Sequence, residues 1–227
     1  MNSLLHLLHL TDPTLPIGGF SHSAGLETYV QKNVVKDAAS AKLFITQMLS
    51  NNLFYNDAAF VSLAFDAIQA GDIDALLLLD EECTAVKLPR EMRQASQKLG
   101  LRLIKLFQPL CKHPLLDKYA ATIKQQTATG HYCIAFGLCA AILEVAKIDA
   151  LTGFLYNAAV GLATNSVKLI PLGQQDGQAI LFSLQPLISQ LATNSMQPDK
   201  DLIGLCCAGF DISCMQHERL YTRLYMS

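Results

Sequence analysis

The chain has 227 residues, of which 51% are hydrophobic and only 16% are charged. This balance excludes intrinsic disorder, because disordered chains are poor in apolar residues and rich in charge. Seventeen basic and nineteen acidic residues leave a net charge of -2. There is no basic stripe of the kind that neutralises a row of phosphates, so we expect no nucleic acid as a partner. The composition predicts one compact domain over residues 1–227, with a surface apolar enough to be buried in a complex.

Neither end of the chain nor its apolar runs indicate export or a membrane. Residues 1–13 contain several apolar residues but lack the basic start and the small-residue cleavage site of a secretory signal. The longest apolar run, residues 132–143, is shorter than the roughly 20 residues that span a bilayer. The seven cysteines form no CxxC pair and lie mostly in apolar stretches, a pattern typical of reduced, buried thiols. We therefore expect a soluble cytoplasmic protein.

Apolar residues recur at spacings of three and four along most of the chain, and no stretch keeps the period of two that is typical of strands. The pattern predicts an all-α fold of about ten helices. In chain order, helices are expected over residues 2–10, 21–30, 37–53, 60–68, 73–86, 89–107, 115–127, 131–147, 150–170 and 173–192, followed by an apolar and then amphipathic C-terminal segment.

Several helix ends are predicted from capping residues and prolines. Ser21 or Ser23 is expected to cap the second helix, and Asp149 is expected to cap the helix that begins at residue 150. In both cases a side-chain oxygen can accept from the free amides of the first turn. Pro109 is expected to end its helix, and Pro171 is expected to stop or kink the helix before it. The helices over 37–53 and 60–68 would form an antiparallel pair.

Motifs for catalysis or for a closed metal site are missing from the sequence. It contains neither the GxxxxGK[ST] loop of phosphate-binding enzymes nor the GxSxG serine turn, and Tyr221 stands where HExxH needs its second histidine. His6 and His9, three apart on a helix, have the minimal spacing to share a metal ion, or else they pack at the helix surface. The trio of Cys206, Cys207 and Cys214 has the wrong spacing for a tetrahedral site and is assigned to the core.

The few charged residues in predicted helices allow two interpretations. Arg90, Glu91 and Arg93 begin a helix, where they form either a solvated face with weak local ion pairs or a contact with a partner. Lys168 ends an apolar helix, where its cation either stabilises the carbonyl end of the helix or contacts a partner. The residues themselves do not decide between these alternatives.

Five segments, read together and in order, resemble the urease accessory protein UreF family. They are LPIGGFSHSAGLE (residues 15–27), PREMRQASQKLG (89–100), GHYCIAFG (130–137), NSVKLIPLGQQDGQ (165–178) and DISCMQHERLYTRLYMS (211–227). The resemblance implies an all-α fold without catalytic activity of its own and without a tightly bound cofactor. It implies a homodimer that binds the accessory protein UreD, also called UreH, and with it recruits the GTPase UreG. Nickel, bound at most transiently, then reaches the urease apoprotein.

The resemblance also implies roles for individual residues. Residues 211–227 match a tail that docks on UreD and helps to order the dimer, with Tyr221, Leu224 and Tyr225 as apolar anchors. The positions expected to face UreG are Glu27, Arg90, Glu91 and Lys168. The tail positions expected to face UreD are His217, Glu218, Tyr221, Arg223 and Leu224.

Three functional hypotheses follow. In the first, the chain is a scaffold that regulates UreG by binding. In a sharper form it activates the GTPase with an arginine finger, for which Arg90 or Arg93 is the candidate. In the second, His6, His9 or His217 line a route for nickel. The third, a small-molecule enzyme, lacks any recognisable nucleophile or acid–base pair.

Overall fold

The computed structural model describes residues 3–19, 22–221 and 223–226, and within them the chain is all-α, as the periodicity predicts. The described residues contain no strand. The helices are α1 (Ser3–Leu10), α2 (Leu26–Gln31), α3 (Ala38–Gln47), a π-helix (Met48–Ala58), α4 (Ala59–Gln69), α5 (Ile73–Val86), α6 (Arg90–Cys111), α7 (Pro114–Lys124), α8 (Tyr132–Ile142), α9 (Lys147–Leu169), α10 (Gln174–Asn194), a 3-10 turn (Lys200–Leu202) and α11 (Ala208–His217).

Helix α8 is the centre of the hydrophobic core. Every residue from Cys133 to Ala141 is buried, and the helix packs against α4 on one side and α6 on the other. Glycines permit both approaches: a Cβ on Gly137 would lie 2.5 Å from the carbonyl oxygen of Val61, and one on Gly100 would lie 2.1 Å from that of Gly130. A side chain at either glycine would force helices apart, so the spacing of the core depends on these two residues.

A buried carboxylate holds the loop that leads into α8. Asp80 of α5 is only 1% exposed and accepts bonds from the hydroxyl of Tyr119 (2.9 Å) and from the amides of Thr129, Gly130 and His131 (2.5–3.2 Å). Its oxygens satisfy the free donors that precede the helix, which apolar surroundings would otherwise leave unpaired. Asp80 therefore has a structural role that the sequence pattern did not reveal.

The predicted antiparallel pair over residues 37–53 and 60–68 is wrong. The backbone stays helical through Gln47, Met48 and Ala59, so α3, the π-helix and α4 form one continuous rod. A π-helix has more residues per turn than an α-helix and shifts the phase of the apolar stripe, which explains why the sequence pattern breaks there. Within it, the side-chain amide of Asn56 donates to the carbonyls of Asn52 and Leu205.

Other helix ends confirm or correct the predictions from local sequence. Pro171 ends its helix as expected: α9 stops at Leu169, and the residue before the proline is extended. Pro109 does not end α6, which runs two residues further and stops where Lys112 turns left-handed (φ 43°). Asp149 lies inside the first turn of α9, whose N-cap is Ala146.

The cap predicted for α2 is also wrong. Its N-cap is Gly25, in the left-handed conformation (φ 75°), and no side chain caps it. A side chain at this glycine would meet Cys214 and Phe210 of α11, so the left-handed turn and the close approach both favour glycine. Ser23 is buried ahead of the helix, and Ser21 lies outside the described residues.

The C-terminal third of the chain closes the core. Helix α9 packs along α10, and α11 returns to contact α2 and α6 near the other end of the sequence. One hydrophobic cluster extends from Leu10 to Cys214. None of the described helices combines the length and the apolar character needed to cross a bilayer.

Candidate functional site

The C-terminal tail folds back onto the start of the chain and brings together two sets of residues that the sequence assigns to different partners. Helix α11 carries His217 in its last turn and packs against α2 and α6. Glu27 lies in the first turn of α2 and Glu91 in the first turn of α6. Together with Arg223 these three residues form the tail cluster.

His217 is the centre of the tail cluster. Its side chain is 1% exposed and lies between two carboxylates, with Nδ1 2.7 Å from Oε2 of Glu91 and Nε2 3.2 Å from Oε2 of Glu27. Each ring nitrogen therefore lies within hydrogen-bond distance of one carboxyl group. The arrangement is a buried polar triad that joins α2, α6 and α11.

Glu27 also holds the backbone of the last residues. It is 4% exposed, and besides His217 it accepts from the amide of Leu224 (2.9 Å) and from the amide of Tyr225 (3.2 Å). Burial and the charge of Glu27 raise the pKa of the Tyr225 phenol. Tyr225, expected as an anchor for a partner, is instead buried in its own chain.

Two further ion pairs surround the triad. Nη1 of Arg223 donates to Oε1 of Glu91 at 2.6 Å, and Nη2 of Arg90 donates to Oε2 of Glu218 at 2.6 Å. The Arg90 side chain is 64% exposed, so its pair contributes little to stability, whereas Glu91 is mostly buried. The tail is therefore held mainly by its contacts with Glu27 and Glu91.

The outer side of the docked tail is apolar and exposed. Tyr221 is fully exposed and Leu224 is 78% exposed, although the backbone of Leu224 is bonded to Glu27. Ile212 and Met215 of α11 are exposed as well. Large apolar side chains beside a buried polar cluster form a surface that a partner can cover.

Lys168 does not belong to the tail cluster but lies close to the tail. It is exposed in the last turn of α9 and has no ion-pair partner among the described residues. Its neighbour Leu169 lines a hollow of about 270 Å³ together with Glu27, Arg223 and Leu224. Of the predicted UreG-facing set, Glu27 and Glu91 thus belong to the tail cluster, Arg90 pairs with Glu218 beside it, and Lys168 lies at the end of α9.

Lys168 also lines a larger cleft of about 400 Å³ through the middle of the molecule. The π-helix, α6, α9 and the segment before α11 form its mostly apolar walls. Asp57 and Lys87 lie in the wall as an ion pair at 2.9 Å. Burial alone would lower the pKa of Lys87, but the charge of Asp57 raises it. Sequence analysis missed this cleft, because the phase shift of the π-helix concealed which residues share its wall.

The remaining candidate residues have local partners. Nη1 of Arg93 donates to the carbonyl oxygens of Lys87 (2.8 Å) and Leu88 (3.3 Å), so it secures the start of its own helix. Nδ1 of His6 lies 2.8 Å from the carbonyl oxygen of Leu143, and the ring of His9 packs against an aromatic ring of α6. Within the described residues no three potential ligands come together around a metal-sized space. The assignment of the three C-terminal cysteines to the core is correct for Cys214 but wrong for Cys206, which is exposed.

Comparison with known proteins places the sequence in a family. The sequence model of the UreF family matches residues 35–185. The chain is 49% identical to the urease accessory protein UreF of Actinobacillus pleuropneumoniae serotype 5b (strain L20) over 227 residues, all of both chains. It is 49% identical to UreF of Haemophilus influenzae (strain PittEE) over 97% of this chain and 94% of that one, and 38% identical to UreF of Bacillus sp. (strain TB-90) over all of both. The chain belongs to the UreF family of urease accessory proteins.

Proposed function

We propose that this chain is a non-catalytic scaffold of urease maturation that works as a homodimer in the cytoplasm. It binds UreD (UreH) through the tail and recruits UreG, so that nickel reaches the urease apoprotein as cargo and not as a resident cofactor. Membership of the UreF family supports the role in urease maturation. The observation that carries the finer proposal is the tail cluster, which joins residues of both predicted partner surfaces.

The cluster provides a physical route from one partner to the other. A partner that covers Tyr221 and Leu224 buries apolar surface on the tail, and Leu224 is bonded through its backbone to Glu27. Any shift of the tail then changes the contacts of Glu27 and Glu91, which lie on the other predicted surface. Two sites that share one set of contacts are coupled, and each partner alters the affinity for the other.

Binding of UreD is tested by changing exposed side chains of the tail. We expect Leu224→Asp and Tyr221→Asp to abolish the UreD complex in size-exclusion chromatography with light scattering, because each puts a charge into an apolar contact. Leu78→Asp is the matched control, since Leu78 is 60% exposed and lies on α5, outside the tail. Unchanged complex formation by both tail variants would contradict the proposal. The molar mass of the protein measured without UreD tests whether it forms a dimer.

Recruitment of UreG is tested at Lys168. We expect Lys168→Glu to leave the UreD complex intact but to prevent UreG from joining it, because the substitution reverses an unpaired charge beside the tail. Lys105→Glu is the control, a similarly exposed lysine on α6. Normal recruitment by the Lys168 variant, or equal losses in both, would assign Lys168 to helix capping only.

A sharper alternative makes the chain a GTPase-activating protein. Arg90 is a better candidate for the arginine finger than Arg93. The Arg90 side chain is mostly exposed, whereas the Arg93 side chain is bonded to backbone carbonyls. An arginine that stabilises transition-state charge accelerates hydrolysis by orders of magnitude. Equal GTP turnover by UreG with wild-type protein and with Arg90→Ala would eliminate this alternative and leave the scaffold role.

A further inference from the structure

Two buried cysteines from different helices face each other beside the core helix α8. Cys83 lies in α5 and Cys133 in the first turn of α8, 50 residues apart, and their Sγ atoms are 3.5 Å apart. Both side chains are fully buried. A disulfide needs an S–S distance of about 2.05 Å, so the two sulfurs must approach each other by roughly 1.5 Å to form a bond.

The surroundings of the pair favour one thiolate. The imidazole of His131 is held by the hydroxyls of Thr84 (2.9 Å) and Ser96 (3.1 Å). Burial raises the pKa of Cys83, but hydrogen bonds with Cys133 and His131 and the charge of Lys87 outweigh it and lower the pKa to about 6. Burial and the neighbouring Cys83 raise the pKa of Cys133. Of the two sulfurs, Cys83 is therefore the one at which loss of the proton is favoured.

The other cysteines lack this combination. Burial and then the neighbouring Cys111 raise the pKa of Cys139, whereas burial and then the charges of Asp211 and Glu91 raise the pKa of Cys214. All seven cysteines fall within the described residues and are free thiols. Cys83 is the one among them whose pKa is lowered, and cationic neighbours that lower the pKa of a thiol favour its nucleophilic thiolate form.

The central cleft reaches the neighbours of both cysteines. Lys87, one turn beyond Cys83, and Tyr132, which precedes Cys133, line its wall. A cleft of about 400 Å³ admits molecules far larger than hydrogen peroxide, which is close to water in size. Neither cysteine lines the cleft itself, so an oxidant of that size must pass the side chains of the wall to reach the pair.

We propose that Cys83 and Cys133 form a peroxide-responsive dithiol, which closes to a disulfide between α5 and α8. The Cys83 thiolate attacks one oxygen of hydrogen peroxide: an S–O bond forms, the O–O bond breaks, and the departing hydroxide takes up a proton to become water. Cys133 then attacks the sulfur of the Cys83 sulfenic acid, an S–S bond forms, and the S–O bond breaks. The hydroxide leaves with the proton of Cys133 as a second water. Two thiols are oxidised and one peroxide is reduced.

Peptide mapping under non-reducing conditions tests the proposal on the full chain. After treatment with hydrogen peroxide and alkylation in denaturant, we expect the loss of two thiols per chain and a cross-linked peptide pair containing Cys83 and Cys133. Dithiothreitol should restore both thiols. The oxidised protein should also unfold at a higher temperature, because the cross-link restricts the unfolded chain.

Variants separate the pair from general oxidation. Cys83→Ser and Cys133→Ala should each eliminate the cross-link, whereas Cys139→Ser, at another buried cysteine of α8, should keep it. The wild-type protein alone decides the matter if a variant fails to fold. Oxidation of exposed Cys206 while both paired thiols remain free, or a sulfinic acid at Cys83 with Cys133 untouched, would overturn the proposal.

Discussion

Nε2 of His217 lies 3.2 Å from the carboxylate of Glu27, although 190 residues separate the two in the sequence. Both side chains are almost completely buried, and Glu91 approaches the opposite nitrogen of the same ring. Removing one member of a buried charged group leaves the others unpaired, which costs more than the group contributes as a whole. The attachment of the tail is therefore sensitive to single substitutions.

We expect His217→Ala to lower the free energy of unfolding by about 2–4 kcal/mol, because the buried carboxyl groups of Glu27 and Glu91 then lose the ring that bonds to both. Urea denaturation measures the change. In a Glu91→Gln background the same substitution should cost at least about 1 kcal/mol less, since one of the two carboxyl groups is gone. Equal costs in both backgrounds would show that the ring contributes by packing alone.

Glu27→Gln should loosen the end of the tail while leaving the core intact. A neutral amide accepts weaker hydrogen bonds than a carboxylate, so we expect the amides of Leu224 and Tyr225 to exchange with solvent roughly tenfold faster. Hydrogen exchange read by mass spectrometry or NMR reports this. Glu82→Gln, an exposed glutamate on α5, is the matched control, and unchanged exchange in the Glu27 variant would refute the assignment.

Two glycine substitutions test the packing of α8. Gly137→Ala should destabilise the chain by about 1–3 kcal/mol, because the new Cβ would lie 2.5 Å from the Val61 carbonyl oxygen and would push α4 away. Gly161→Ala in α9 meets nothing within 4 Å and should stabilise by up to about 1 kcal/mol through helix propensity. Thermal unfolding should show opposite shifts, and shifts of the same sign would contradict this account of the core.

His22 should make stability depend on pH. Burial, and then the charges of Lys98 and Arg102, lower the pKa of His22 in the folded chain. As pH falls through about 6.5, His22 takes up a proton in the unfolded chain before it does so in the folded chain. The stability contributed by neutral His22 is therefore present above that pH and is lost below it. Unfolding in urea at about pH 7.5 and about pH 5.5 should show a smaller loss for His22→Gln than for wild type. An identical loss would place the pH dependence elsewhere.

The sequence by itself determined the features that depend on neighbours a few residues apart. The periodicity predicts α5 at its observed bounds, 73–86, and Pro171 predicts the end of α9. A helix is built from bonds between residues four apart, and proline removes such a bond locally, so both signals are present in short stretches. The five family segments are likewise local in the sequence, and the family they indicate is the one found by comparison.

The tertiary structure alone decided how distant segments meet. It joins Glu27 to His217 and Cys83 to Cys133, and it reveals the π-helix that forms one wall of the cleft. A carboxylate in an amphipathic pattern has the same sequence signature whether it faces solvent or a histidine 190 residues away. Only the packing of α11 on α2 and α6 chooses between them, because burial makes an unpaired charge too costly to leave without its partner.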